Sequence, residues 1–233
     1  MEQKRNYQRE LDKLIKTWQN DGIVPRILLH SCCAPCSSYC MEYLRQYAKL
    51  TILYYNPNIT SGQEYEKRKL EEQRLIEIYN QMDAEGVHCI EMMDADYDPE
   101  RFLELSKGYE ECPEGGERCA RCFDLRLRYT AQLAARNQFD YFATTLTISP
   151  LKNAELINQI GASIGAEYEI AYLASDFKKK DGYKRSIELS AIYDLYRQDF
   201  CGCAFSKAQR MNEKKKNDGF NIERENREDG KDN

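Results

Sequence analysis

Short runs of β-forming residues alternate along this chain with longer amphipathic stretches, and that alternation restricts the fold more than any other feature. RILLH at Arg26–His30, LTILYYN at Leu50–Asn56, Val87–Met93, Phe139–Leu146 and Ala166–Leu173 read as strands. Ser37–Ala48, Gln63–Met82, a short stretch opened by Asp98-Pro99, Glu117–Arg136, Leu151–Ile164 and Ser186–Tyr196 read as helices, with Leu70, Leu75, Ile76 and Tyr79 facing inward in the second. Strands separated by helices pair in parallel, because each crossover must return over the sheet to the same end. The expected fold is therefore α/β: a parallel, doubly wound, Rossmann-like sheet with helices on both faces.

The first strand-to-helix switch carries RILLHSCCAPCSSYC, four cysteines in the turn where an open α/β sheet binds its ligands. The free N–H groups of the following helix would point at whatever sits there. The chain has ten cysteines, no secretory leader and no apolar run approaching the roughly 20 residues of a membrane span, so a reducing cytoplasm is expected and no membrane association. In that compartment clustered cysteines bind metal or carry electrons. The formal charge of −5 decides nothing about a nucleic-acid partner. With 233 residues one domain is expected. Residues 1–22 form an amphipathic helix with Leu11, Leu14, Ile15 and Trp18 on its apolar stripe, 23–206 the α/β domain, and 207–233 a charged tail too polar to order itself.

Cys32-Cys33 and Cys119-Ala-Arg-Cys122, the latter three apart in the first turn of a helix, supply four thiolates that a parallel sheet could bring to one edge. Four thiolates suit a structural zinc or an iron–sulfur cluster, and spacing alone does not separate the two. Adjacent thiolates reach separate corners of a cluster more easily than one small tetrahedral ion, which favours the cluster. Arg118, Arg121 and the helix N-terminus would offset its negative charge. Cys33-Ala-Pro-Cys36 also has the thioredoxin-like C-x-x-C form, but that reading leaves Cys119, Cys122, Cys201 and Cys203 without a purpose. In Cys201-Gly-Cys203 the glycine lets the backbone bend enough for a tight, labile disulfide; a third metal-binding pair is the other reading. Cys40 and Cys89 are expected in the core, and Cys112 has no partner at a diagnostic spacing. His30 and His88, in or beside apolar strands, are expected to be structural.

Lys178, Lys179, Lys180, Lys184 and Arg185, interleaved with Phe177 and Tyr183, form a basic loop that fits single-stranded RNA: cations for phosphates, rings for splayed bases. A merely solvated charge run is the plainer alternative. Position favours the first, because the loop precedes the helix that ends at Cys201 and Cys203.

Taken together, LLHSCCAPCS at 28–37, YYNPNI at 54–59, RCARCFDLRL at 118–127, TLTISPLKN at 145–153, SDFKKKDGYKRSIELS at 175–190 and LYRQDFCGCAFS at 195–206 resemble epoxyqueuosine reductase of the QueH type, in order from Arg26 to Ser206. The resemblance implies an adenine nucleotide alpha hydrolase-like sheet and the last step of queuosine synthesis, reduction of the epoxide of epoxyqueuosine at the wobble position of a tRNA to the alkene with loss of water. It implies a 4Fe-4S cluster on Cys32, Cys33, Cys119 and Cys122, a redox-active disulfide between Cys201 and Cys203, and an electron donor that it does not identify. It also implies an additional mononuclear iron beside the cluster. Some members carry Asp where this chain has Cys36, which makes Cys36 the candidate ligand for it. Two rivals share parts of this inventory. An iron–sulfur tRNA thiolase would need a Ser-Gly-Gly phosphate loop where this chain has Ser31-Cys32-Cys33. A zinc-stabilised tRNA-binding module would share the metal spacing but have no use for Cys-Gly-Cys.

Overall fold

The computed structural model describes residues 5–82 and 86–214. Five strands, β1 (Arg26–His30), β2 (Lys49–Leu53), β3 (Glu91–Met93), β4 (Tyr141–Thr144) and β5 (Ala171–Tyr172), form one sheet in the order β3-β2-β1-β4-β5. Every pairing is parallel, with Ile27 opposite both Leu50 and Tyr141. The chain moves outward from β1 to β2 and β3, then returns to the other side of β1 for β4 and β5. The switch point of this doubly wound sheet therefore lies between β1 and β4, at their carboxyl ends.

Side chains of β1 alternate between two cores. Ile27 and Leu29 join Leu50, Ile52 and Ala143 under α1 (Tyr7–Asp21), α2 (Ala34–Leu44) and α3 (Gly62–Gln81). Leu28 joins Phe142 under α4 (Pro99–Leu105), α5 (Glu117–Arg136) and α6 (Ala154–Glu167). A further helix, α7 (Gly182–Ile192), packs on α2. Both faces of the sheet are thus covered, and β1 reads as a continuous apolar run because neither face meets water. The N-terminal helix docks as its stripe requires: Leu11, Ile15 and Trp18 are buried, and Trp18 lies 5.3 Å from the Tyr141 ring.

Several boundaries differ from the sequence reading, each for a local reason. Helix α2 starts at Ala34 rather than Ser37, because Pro35 in its first turn is preset for a helix and loses no hydrogen bond there. This places Cys36 on the helix and Cys33 at its cap. Helix α6 runs to Glu167 from an Asn153 cap, whose side chain accepts from the Leu156 N–H at 3.2 Å, and it shortens the strand expected from Ala166 to two residues. The strand expected from Val87 pairs only over Glu91–Met93. Cys89 is consequently exposed and not a core residue, whereas Cys40 is buried as expected. The tail expected to be unstructured from 207 begins as helix α8, covering 204–214; 215–233 lies outside the described residues.

Candidate thiol and metal centre

The turn after β1 and the segment after β4 meet at the switch point. Cys33 caps α2: its carbonyl accepts from the Cys36 and Ser37 N–H groups, both at 3.0 Å. The cap turns Cys32, Cys33 and Cys36 toward one another, and their Sγ atoms lie within 4.8 Å as a group, Cys32 and Cys33 at 3.8 Å. From the β4 side, Thr145 accepts the Cys32 N–H at 3.3 Å and donates its hydroxyl to Cys32 Sγ at 3.5 Å. The β1–β4 pairing fixes both sides of this contact.

The local field selects which thiol ionises. Hydrogen bonds from Cys33 and Cys36 hold the Cys32 thiol well below its ordinary range, helped by Lys152 and Arg126. That thiolate in turn pushes Cys33 up to about 12 and raises Cys36. Arg126, on α5 and 1 % exposed, donates to Asn56 Oδ1 at 2.5 Å and to His30 Nε2 at 3.2 Å, with Nη1 4.0 Å from Cys122 Sγ. His30 ties the two sides together: its Nδ1 lies 2.9 Å from Thr144 Oγ1, and its Nε2 meets the Tyr55 carbonyl at 3.1 Å as well as the Arg126 guanidinium. Burial, and then Arg126, depress His30 to about 3, so it is a neutral structural residue as expected. Asn56 passes the restraint on by donating to the Ser31 carbonyl at 2.9 Å.

Lys152 follows β4 and lines the cleft with Cys32, Cys33, Cys36 and Cys201. Burial works against its ammonium, yet the thiols of Cys201, Cys32 and Cys36 keep its pKa above the ordinary lysine value. Glu72, on α3, is wholly buried, and neither of its carboxylate oxygens reaches a hydrogen-bond partner. Burial pushes it up to about 7, against the nearby Ser37 and Ser31 hydroxyls. The Ser37 hydroxyl spends its proton on the Cys33 and Ala34 carbonyls, both at 3.2 Å.

Cys119 and Cys122 occupy the first two turns of α5. The Gly115 N–H donates to Cys119 Sγ at 3.2 Å, and burial pushes Cys122 up to about 12. Cys32, Cys119, Cys122 and Cys203 border the same core beneath α4 to α6, while Cys36 belongs to the opposite one. Among the described residues only Cys32, Cys33 and Cys36 form a group tight enough to ligate one ion as they stand. Arg118 donates to the Tyr109 and Glu110 carbonyls at 2.8 Å and adds its charge near Cys119, whereas Arg121 is engaged by Tyr109 and Glu117. The cations that reach Cys32 are Arg126 and Lys152 instead.

Cys201 lines the cleft, and Cys203 caps α8, its Sγ accepting from the Ser206 N–H at 3.3 Å. Burial pushes Cys203 up to about 11. Gly202 between them has φ +120, a conformation essentially closed to other residues.

The basic loop is less free than its sequence reads. Lys178 pairs with Asp176 at 2.7 Å, Lys180 with Asp12, and Arg185 with Glu42 and Glu188 at 2.7 and 3.3 Å. Lys179 and Lys184 are exposed and have no ion partner among the described residues. Phe177 is fully buried and cannot stack on a base; Tyr183 lines the cleft. Sequence reasoning missed Lys152, Arg126, Arg68 and Glu72. The first stands in the TLTISPLKN stretch and Arg126 in RCARCFDLRL, whereas Arg68 and Glu72 are charged positions of α3 with no spacing that marks them.

The family model described as "Epoxyqueuosine reductase QueH" matches residues 27–209. Curated relatives of that name include one from Streptococcus pyogenes serotype M1, 45% identical over 88% of this chain and 79% of its own length. One from Staphylococcus epidermidis is also 45% identical, over 88% and 85%. One from Thermotoga maritima is 32% identical over 79% and 91%.

Proposed function

The chain belongs to the epoxyqueuosine reductase QueH family, and from that premise we propose that it is an oxidoreductase that reduces the epoxide of epoxyqueuosine in tRNA to the alkene of queuosine. The observation that carries the reading is one cleft lined at once by Cys32, Cys33 and Cys36 and by Cys201 of the Cys-Gly-Cys turn.

The donor set fits the implied metal centre. Soft thiols cluster with buried cations behind them, and neither histidine joins them: His30 is committed to Arg126 and Thr144. In this reading Cys32, Cys33, Cys119 and Cys122 hold a 4Fe-4S cluster, with Cys36 beside them for an additional mononuclear iron. Bound there, the group would pass electrons singly and supply an open iron as Lewis acid. The protein does the rest. Cys201 and Cys203 form a disulfide, releasing two electrons and two protons. The epoxide takes up both, its two C–O bonds break, and alkene and water result. A separate electron donor must then reduce the disulfide. Arg126 and Lys152 hold positive charge against the thiolates, and Lys152 faces the cleft that the wobble nucleotide would enter. An anticodon base is already close to unstacked, which suits entry into a cleft. Of the basic loop Lys178, Lys179, Lys180, Lys184 and Arg185, we assign phosphate contact first to Lys179 and Lys184, the two without carboxylate partners. Residues 23–206 serve as the catalytic domain. Among the described residues no helix is long and apolar enough to cross a membrane, and the cytoplasm, where tRNA is found, is the proposed location.

The test is metal analysis of anaerobically purified protein, followed by turnover of epoxyqueuosine-tRNA. About four irons and four sulfides per chain are expected for the cluster, lost in the Cys119→Ser, Cys122→Ser double variant, with iron beyond four supporting the additional site. Cys201→Ser and Cys203→Ser should keep the cluster spectrum and lose sustained turnover. One zinc with no sulfide would defeat the reductase mechanism and leave a zinc-stabilised RNA-binding module.

A further inference from the structure

One face of α3 grips the segment that leads to the Cys-Gly-Cys turn. Arg74 donates to the Tyr193 and Asp194 carbonyls at 2.9 and 3.0 Å, and Glu71 accepts the Tyr196 N–H at 2.7 Å. The Lys67 ammonium lies 3.3 Å from the centre of the Tyr196 ring, and Glu64 accepts the Tyr196 hydroxyl at 3.2 Å. Residues 64, 67, 68, 71 and 74 share this face because helical neighbours are three and four apart.

Arg68 ends the row and is 2 % exposed. Its Nε pairs with Glu64 at 2.7 Å, its Nη1 donates to the Cys201 carbonyl at 3.2 Å and its Nη2 to the Phe200 carbonyl at 3.5 Å, and its plane lies 5.1 Å from the Phe200 ring. On the other side of the turn the Gly202 carbonyl accepts the Thr60 N–H at 3.3 Å. A Cβ on Gly202 would come within 2.8 Å of Ile59 and 3.2 Å of Arg68 Nη1. The turn is wedged between a guanidinium and a loop, and Arg68 itself lines the cleft beside Cys33.

We propose that Arg68 is the positioning residue for the Cys201–Gly202–Cys203 dithiol, its forked guanidinium fixing the turn so that Cys201 faces the Cys32, Cys33 and Cys36 thiols. A lysine cannot substitute, since it lacks the planar fork that reaches two successive carbonyls and Glu64 together. The inference rests on the reductase reading for its purpose but not for its geometry.

The test uses the anaerobically purified metal-bound enzyme with Arg68→Met, Arg68→Lys and, from the opposite wall, Gly202→Ala. Labelling of Cys201 by iodoacetamide is read by peptide mass spectrometry against the exposed Cys89 of the same chain, beside iron content, kcat and KM. All three variants should raise the Cys201-to-Cys89 labelling ratio about tenfold, the equivalent of one charge-assisted hydrogen bond. They should lower kcat by a similar factor while leaving KM for epoxyqueuosine-tRNA and iron unchanged. Gly202→Ala decides the matter if the Arg68 variants do not fold. An unchanged labelling ratio in folded variants, or loss of iron along with the rise in labelling, would overturn the assignment. Full activity in Cys201→Ser would defeat the redox role of the dithiol while leaving the labelling result, and so the role of Arg68, standing.

Discussion

Replacing Glu72 by Gln should make the protein more stable at neutral pH and not at acid pH. The carboxyl is wholly buried, neither oxygen has a hydrogen-bond partner, and burial raises it from 4.5 to about 7. A folded-state pKa above the unfolded one means that the native protein holds the proton more tightly. The stabilisation this gives is fully present below 4.5 and is lost as pH rises through 7. From 4.5 to about 7, at about 1.4 kcal/mol for each tenfold change in proton affinity, the loss amounts to about 3 kcal/mol. Glutamine imitates the protonated acid at every pH and escapes it. Urea unfolding of metal-free wild type and Glu72→Gln, followed by the single tryptophan, Trp18, buried against the sheet, measures the difference. Subtracting the two profiles cancels every other titrating group, including His30 with its opposite slope. The variant should gain about 3 kcal/mol relative to wild type between pH 4.5 and 7. Parallel profiles, or a difference that grows toward acid, would refute the reasoning.

Two further outcomes follow from the same field and packing. Lys152→Met removes a cation that lowers Cys32, so in metal-free protein Cys32 should alkylate severalfold more slowly at neutral pH and its thiolate absorbance should appear at higher pH; an unshifted titration would show that the Cys33 and Cys36 hydrogen bonds and Arg126 set it without Lys152. Gly182→Ala places a Cβ 1.9 Å from the Phe177 carbonyl and 2.5 Å from the Tyr39 ring, where α7 meets α2, and should cost about 1–3 kcal/mol, read as a lowered Tm.

Much of this protein is legible without coordinates because its local signals agree with its global fold. The β1 run, buried on both faces, could only be a central strand, and the Cys32–Cys36 turn falls at the carboxyl end of that strand wherever the rest of the sheet lies. The Trp18 stripe and the Cys119–Cys122 turn follow from helical period alone. Weak segments were not legible. The strand expected over 166–173 competes with the continuation of α6, and only the Tyr141–Ala171 pairing leaves it two residues. Phe177 sits among lysines in sequence yet packs under α2, because the chain bends back there.

The sequence by itself determined the alternation of elements, the place of the thiols along it, and, through its ordered motifs, the family. Tertiary structure alone decided which charges matter. Arg68 meets Cys201 across 133 positions of chain, Arg126 meets His30 across 96, and Lys152 enters the thiol cleft only because β4 lies beside β1. Periodicity records which face of a helix is buried, but not what it is buried against. A charged residue gripping a distant backbone carbonyl therefore looks in sequence the same as one facing water.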